Sequence, residues 1–300
     1  MIISASRRTD IPAFYHEWFM NRVRAGECVV GNPFNPAQVT RVSLAPEDVD
    51  VIVFWTRDPR PLLPSLAELD ARGYRYYFQF TLTGYPTALE PGLPPRAELI
   101  SAFRALADHV GPQRVIWRYD PLVRSNLTDD AFHARNFAEI VAALAGATRR
   151  VVLSLLDPYP KTARRFRHLA AEGICIQEIN EVDAALGALL RELAATGRAH
   201  GMDVRSCAEP FDLTPYGILP GKCVDDDYIQ QVWGIEVTHA KDPAQRAACG
   251  CVQSRDIGAY DTCLHGCVYC YATGNAARAA ARHARHDPMS PSLVAAETDE

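Results

Sequence analysis

Cys263, Cys267 and Cys270 stand in the run Asp-Thr-Cys-Leu-His-Gly-Cys-Val-Tyr-Cys-Tyr-Ala. Three thiolates spaced C-x3-C-x2-C can converge on one face of a cubane iron–sulfur cluster. The run has no fourth cysteine, so one iron would keep an open position, which separates a metal site that does chemistry from one that holds structure. Two plainer readings compete: a structural zinc with a fourth ligand from elsewhere, or unrelated buried thiols. A second group, Cys207, Cys223, Cys249 and Cys251, is more widely spread, and Gly250 lets two of its thiolates approach each other. Four thiolates can close a zinc site or an iron–sulfur cluster. The tight Cys-x2-Cys pairs of zinc ribbons are absent, and beside a three-cysteine loop an auxiliary four-iron cluster is favoured over zinc. His265, inside the loop, reads as a loop contact more readily than as a ligand.

These residues need a scaffold, and the first two-thirds of the chain supplies a regular one. Short apolar, β-rich runs at 2–5, 51–55, 76–81, 114–117, 151–155 and 204–206 read as strands, with a further candidate at 174–177. Helical patterns fall at about 11–25, 60–72, 97–110, 129–145, 161–172 and 180–200, with Thr128 and Gly146 as expected caps of the fourth. Residues 29–44 read as a hairpin with Asn-Pro-Phe-Asn-Pro at its tip. The alternation predicts an α/β fold with right-handed crossovers, a TIM-barrel-like partial (β/α) barrel of about six or seven parallel strands over 1–208. Residues 209–286, rich in Pro, Gly, Asp and Cys, predict an extension packed over the barrel mouth and ordered by metal. A last helix is expected at 274–286 and a frayed tail at 287–300.

Parallel α/β folds put their chemistry at the C-terminal ends of strands. The first predicted strand ends in Ser6-Arg7-Arg8-Thr9-Asp10, the second in Thr56-Arg57-Asp58, and the fourth in Arg118-Tyr119-Asp120. The third contributes Gln79 and Thr81, the fifth Ser154 and Asp157, and Glu209 follows Cys207. Each residue taken singly is a cap or an ion pair; the recurrence from strand to strand is what marks the set. Arg118, Asp120, Arg7 and Asp10 are the catalytic candidates, and Thr56, Arg57, Gln79 and Ser154 the candidate cofactor contacts.

Composition narrows the classes. The chain has 300 residues, nine cysteines, 48% apolar residues and a formal net charge of −5. That charge opposes a protein that coats nucleic acid by charge alone, while leaving a local basic groove open. The Arg278, Arg282 and Arg285 run, with His283 and His286, reads first as a solvated helix face. The start of the chain reads as a strand rather than a signal peptide, and no apolar stretch approaches membrane-spanning length. A cytoplasmic protein with reduced thiols is expected, in which clustered cysteines are metal ligands rather than disulfides. Walker loop, Gly-x-Gly-x-x-Gly and His-Glu-x-x-His patterns are absent, which disfavours ATPase, dehydrogenase and metalloprotease readings.

The runs Ile3–Pro12, Asn32-Pro33-Phe34-Asn35-Pro36, Val53-Phe54-Trp55-Thr56 and Cys249–Ala272 resemble domain-of-unknown-function family 1848. The cluster loop, with Tyr269 before its last cysteine and Tyr271-Ala272 after it, is similar to that of radical S-adenosylmethionine (SAM) enzymes, most of all the spore photoproduct lyase branch. The resemblance implies that Cys263, Cys267 and Cys270 ligate three irons of a [4Fe-4S] cluster and that SAM chelates the fourth. Tyr269 would contact adenine through its backbone, and Arg118 or Arg7 would grip the methionyl carboxylate bidentately. An electron from a donor such as ferredoxin or flavodoxin would cleave SAM to a 5′-deoxyadenosyl radical that abstracts hydrogen from a substrate the resemblance does not name. Two departures stand out: the loop lies near the C-terminus rather than after the first strand, and Trp55-Thr56-Arg57 replaces the usual Gly-Gly-Glu-like contact for the methionyl amine. A non-catalytic iron–sulfur carrier or sensor and a zinc-stabilised binding module are the alternatives.

Overall fold

The computed structural model describes residues 1–33, 35–157 and 159–294. Among them the elements run β1 (Ile2–Ala5), α1 (Ile11–Phe14), α2 (His16–Ala25), β2 (Glu27–Asn32), β3 (Asn35–Ser43), β4 (Val51–Thr56), α3 (Leu66–Ala71), β5 (Tyr76–Thr81), α4 (Arg96–Val110) and β6 (Val115–Leu122). They continue with α5 (Asp130–Leu144), β7 (Arg150–Leu155), α6 (Pro160–Ala171), α7 (Ala184–Ala199), β8 (Asp203–Cys207), β9 (Leu219–Gly221), α8 (Asp226–Trp233), β10 (Arg255–Asp256) and α9 (Ala276–Ala284).

Eight strands form one sheet in the order β10-β1-β4-β5-β6-β7-β8-β9, and every pairing in it is parallel. From β1 to β9 each strand is added on the same side of its predecessor, so right-handed crossovers bring the connecting helices to one face. The side chains divide accordingly, because successive residues of a strand point to opposite faces. Ile3, Ile52, Phe54, Phe78, Trp117 and Leu153 join the larger core with Phe19 of α2, Phe103 of α4 and Phe137 of α5. Their neighbours Ile2, Val51, Val53, Tyr77, Ile116 and Val152 join a second apolar cluster with Cys223, Val224, Ile229, Cys249, Cys251 and Val252. The cysteine-rich segment therefore covers the face the helices leave bare. Burial on both faces is why these strands read as continuous apolar runs rather than alternating ones.

Several expectations need correction. The sheet has eight strands, not six or seven, because β9 and β10 come from the stretch without periodicity. They are three and two residues long, too short to leave a pattern. Nor is 209–286 an extension laid on a finished barrel: it supplies both edges of the sheet, β9 beside β8 and β10 beside β1. Those two edges are not paired with each other among the described residues, so the sheet is open. The run at 174–177 makes only an isolated bridge between Ser125 and Ile176. Asp129, not Thr128, caps α5: its Oδ1 accepts from the Phe132 amide at 2.7 Å, while the Thr128 hydroxyl donates to the Val123 carbonyl at 2.6 Å. The expected hairpin is present as antiparallel β2 and β3, with Phe34 at its tip outside the described residues.

The expected frayed tail is docked as far as residue 294. Trp18, Asn21 and Arg22 of α2 donate to the carbonyls of Ser290 (3.0 Å), Pro288 (3.1 Å) and Met289 (2.9 Å), and Leu293 is buried. Residues 295–300 of that tail lie outside the described residues. Among the described residues no helix is long and apolar enough to cross a membrane.

His133 of α5 gives the core a pH-sensitive point. Its Nε2 lies 2.9 Å from the Val123 carbonyl and its Nδ1 2.8 Å from the Tyr119 hydroxyl, which accepts from Asn136 Nδ2 at 3.0 Å. A carbonyl can only accept, so Nε2 carries the proton and Nδ1 of the neutral ring accepts from Tyr119. Burial pushes the imidazole pKa down to about 4, against roughly 6.5 in the unfolded chain. The unfolded state binds the extra proton in that window, so stability is full above about pH 6.5 and falls as the pH drops towards 4, by up to about 1.4 kcal/mol per unit. Denaturant unfolding at a series of pH values should show this loss, and His133→Gln should flatten the dependence.

Candidate metal and cofactor site

A cavity of about 450 Å³ opens at the C-terminal ends of the parallel strands, within the size range of small-molecule sites. All three cysteines of the loop and all four of the second group line it. Arg7, Asp10, Thr56, Arg57, Arg118, Asp120, Ser154 and Tyr269 line it as well, and Gln79 does not. The remaining cysteines stand apart: Cys28 is buried in the helix-side core and Cys175 is exposed.

The loop carrying Cys263, Cys267 and Cys270 lies against the end of β1 and is held from several directions. Asp10, which follows β1, accepts from the Ala13 amide at the start of α1 (3.0 Å), from the Arg57 amide after β4 (2.7 Å) and from Nε2 of the loop's His265 (2.8 Å). Its carboxylate is spent on positioning. The segment after β5 runs beside the loop: the Gly92 amide donates to the His265 carbonyl (2.9 Å) and the Val268 amide to the Leu89 carbonyl (3.1 Å). A Cβ on Gly92 would stand 2.6 Å from the His265 oxygen, so only glycine allows this approach. Within the loop Gly266 turns the chain at φ +70°. Arg57 donates to Glu90 at 2.6 Å and to the Tyr269 hydroxyl at 2.5 Å, and Tyr269 and Thr83 donate to the same Glu90 carboxylate. From the far side Arg165 of α6 donates to the carbonyls of Thr273 (2.9 Å), Cys267 (3.4 Å) and Cys270.

The four-cysteine group gathers at the ends of β6 and β8. The sulfurs of Cys207 and Cys223 lie 2.8 Å apart, and Cys251 Sγ accepts from the amides of Cys223 (3.3 Å) and Val224 (3.4 Å). Tyr77 (2.7 Å) and Gln79 (2.8 Å) both donate to the Cys223 carbonyl, so Gln79 supports this group from beneath. Arg118 donates to Cys223 Sγ at 2.7 Å and pairs with Asp120, which also accepts from Ser154. Trp55 is within reach of two cations, with the guanidinium carbons of Arg118 and Arg7 at 5.1 and 5.4 Å from its ring centre. Arg7 Nη2 is buried and has no hydrogen-bond partner. Asp256 of β10 fixes this corner by accepting from Ser4 (3.0 Å), Ser6 (2.7 Å) and the Arg7 amide (2.9 Å).

The thiols divide by surroundings. The hydrogen bond from Cys223, with the nearby Arg118, holds Cys207 down to about 6 against the opposing effect of burial. Burial pushes Cys263 well above the ordinary thiol range and Cys267 to about 12, the latter against the pull of Arg57. A bound metal removes that difference, because coordination deprotonates a thiol outright. Among the described residues no three cysteine sulfurs lie within 4.8 Å of one another.

Sequence reasoning missed Glu90, Gly92, Arg165 and Asp256. Glu90 and Gly92 sit in a Leu-Glu-Pro-Gly turn, Arg165 in a basic helix and Asp256 in a two-residue strand, and none of these contexts carries a motif. Glu90 is the most consequential. The Arg57 and Glu90 side chains are 11% and 3% exposed, and removing one partner of such a pair strands a buried charge. Glu90→Ala should lose about 3–5 kcal/mol in denaturant unfolding, and adding Arg57→Met should restore part of it.

The family described as Domain of unknown function (DUF1848) matches residues 2–272. No curated protein and no solved structure matches the chain. The family match takes in the whole parallel sheet and every cysteine described above, and on that evidence the chain belongs to the DUF1848 family.

Proposed function

We propose that the protein is a radical SAM-type iron–sulfur enzyme built on an open, partial (β/α) barrel. The observation that carries this reading is the convergence of seven cysteines from two separate groups on one cavity at the strand ends. In it Cys263, Cys267 and Cys270 hold a four-iron cluster with one open position, and Cys207, Cys223, Cys249 and Cys251 hold a second four-iron cluster. Backbone amides aimed at Cys251 and the cations beside Cys223 are the surroundings that buried thiolates require.

When bound, an open-iron cluster supplies the electron that cleaves SAM to a 5′-deoxyadenosyl radical able to take hydrogen from a substrate. The chain's residues do the positioning. Asp10, Glu90 and Arg165 keep the loop rigid at the end of β1. Arg118 is spent on Cys223 and Asp120, so of the two arginines it is Arg7, with its unpaired Nη2, that is suited to grip the carboxylate of SAM. Ferredoxin or flavodoxin is the class of donor such a cluster needs, and the cytoplasm is the compartment that suits it.

Anaerobic purification should give about eight irons with matching sulfide per chain, and the electron paramagnetic resonance signal of the reduced protein should shift on adding SAM. Iron without that shift would favour a carrier or sensor, and a colourless, zinc-loaded protein would favour a binding module. The groups can be separated by mutation. Cys267→Ala should abolish the SAM-dependent shift and keep about four irons, whereas Cys251→Ala should keep the shift and lose about four.

A further inference from the structure

The rim of the cavity carries a charge pattern opposite to that of the whole chain. α6 holds Lys161, Arg164, Arg165 and Arg167, and the stretch from Ala276 to Arg285 holds Arg278, Arg282 and Arg285, with no carboxylate in either. The formal net charge of the protein is −5. The loop brings the two helices to the same rim. Arg165 donates to three loop carbonyls, Arg282 to the Tyr260 carbonyl at 2.8 Å, and Lys161 stands beside Gly274. Lys161, Arg164 and Arg167 are exposed and have no ion-pair partner among the described residues.

Aromatic rings alternate with these cations. Tyr260 lines the cavity with Lys161 Nζ at 4.6 Å and the Arg8 guanidinium at 5.3 Å from its ring centre. Tyr159 and Tyr271 also line the cavity, their ring centres 5.3 Å apart, and Tyr271 is 38% exposed. A cavity of about 450 Å³ takes one drug-sized molecule. On the radical SAM reading the clusters and SAM share this cavity, so the bulk of a second reactant lies on its rim.

From the tyrosine rings at the rim and the unpaired cations of α6 we infer that the rim binds single-stranded nucleic acid, with bases stacked on Tyr260 and Tyr271 and phosphates held by α6. Stacking platforms interleaved with cations are how sequence-tolerant single-strand binding is built. The inference rests on the radical SAM reading for what happens inside the cavity, but not for the contact at its rim.

The test is fluorescence anisotropy of a labelled oligodeoxythymidylate with the full chain, purified anaerobically, over a range of salt. Binding should be saturable and weaken log-linearly with salt. Replacing Lys161, Arg164 and Arg167 together by Ala should cost about tenfold or more and lower the salt slope. Tyr260→Leu, which keeps apolar bulk, should cost about tenfold with the slope unchanged. No binding at low salt, or undiminished binding by the triple variant, overturns the inference. So does inorganic polyphosphate competing as well as the oligonucleotide while Tyr260→Leu binds like the parent. The parent protein separates the two readings. Oligonucleotide binding by a parent protein that shows no SAM-dependent signal would sink the radical reading alone, and that signal in a parent that binds no oligonucleotide would sink the rim alone.

Discussion

One carboxylate joins the parts of this molecule that must stay together. Asp10 accepts hydrogen bonds from the start of α1, from the backbone after β4 and from His265 in the cysteine loop. Its position after β1 puts it at the end of the sheet where the cavity opens, and its partners come from the adjoining helix and from two distant stretches of chain. A buried carboxylate satisfied by several directed donors resists movement, because displacing any donor leaves charge unmet in a poorly solvating interior. The loop's location is therefore set by hydrogen bonds that need no metal, while the Arg57–Glu90 pair and Arg165 fix its orientation.

Charge is balanced locally on both sides of the cavity. Near the four-cysteine group, Arg118 pairs with Asp120 and Arg7 lies 3.7 Å from Asp242. Near the three-cysteine loop, Arg57 is matched by Glu90 and so leaves little net charge.

Much of this was legible in the sequence, and the boundary of legibility is physical. The six main strands announce themselves as apolar runs between turn signals, and most of the polar residues at their ends line the cavity, with Asp58, Gln79, Tyr119 and Glu209 the exceptions. The cysteine loop is readable because its chemistry is local. What escaped depends on tertiary pairing alone. β9 and β10 exist because β8 and β1 offer free edges, so their own residues carry no strand pattern. Glu90 and Arg165 act through contacts remote in sequence or through backbone carbonyls, which no spacing rule records. The docked end, Asp287 to Val294, looks like a tail because what it offers α2 is its own carbonyl oxygens, which any sequence provides.

The pairing of β10 with β1 also bears on how the protein comes to be folded. Ile3 and Ser4 meet Arg255 and Asp256, so β1 cannot acquire its outer neighbour until the chain as far as Asp256 has left the ribosome. An unpaired strand edge invites pairing with other chains, and contacts between such distant segments form late because loop closure must come first. The nascent chain thus spends its longest exposure with one sheet edge bare and its cysteines still separated. Completion of the sheet and assembly of the thiols into one site become the same late event in the life of the molecule.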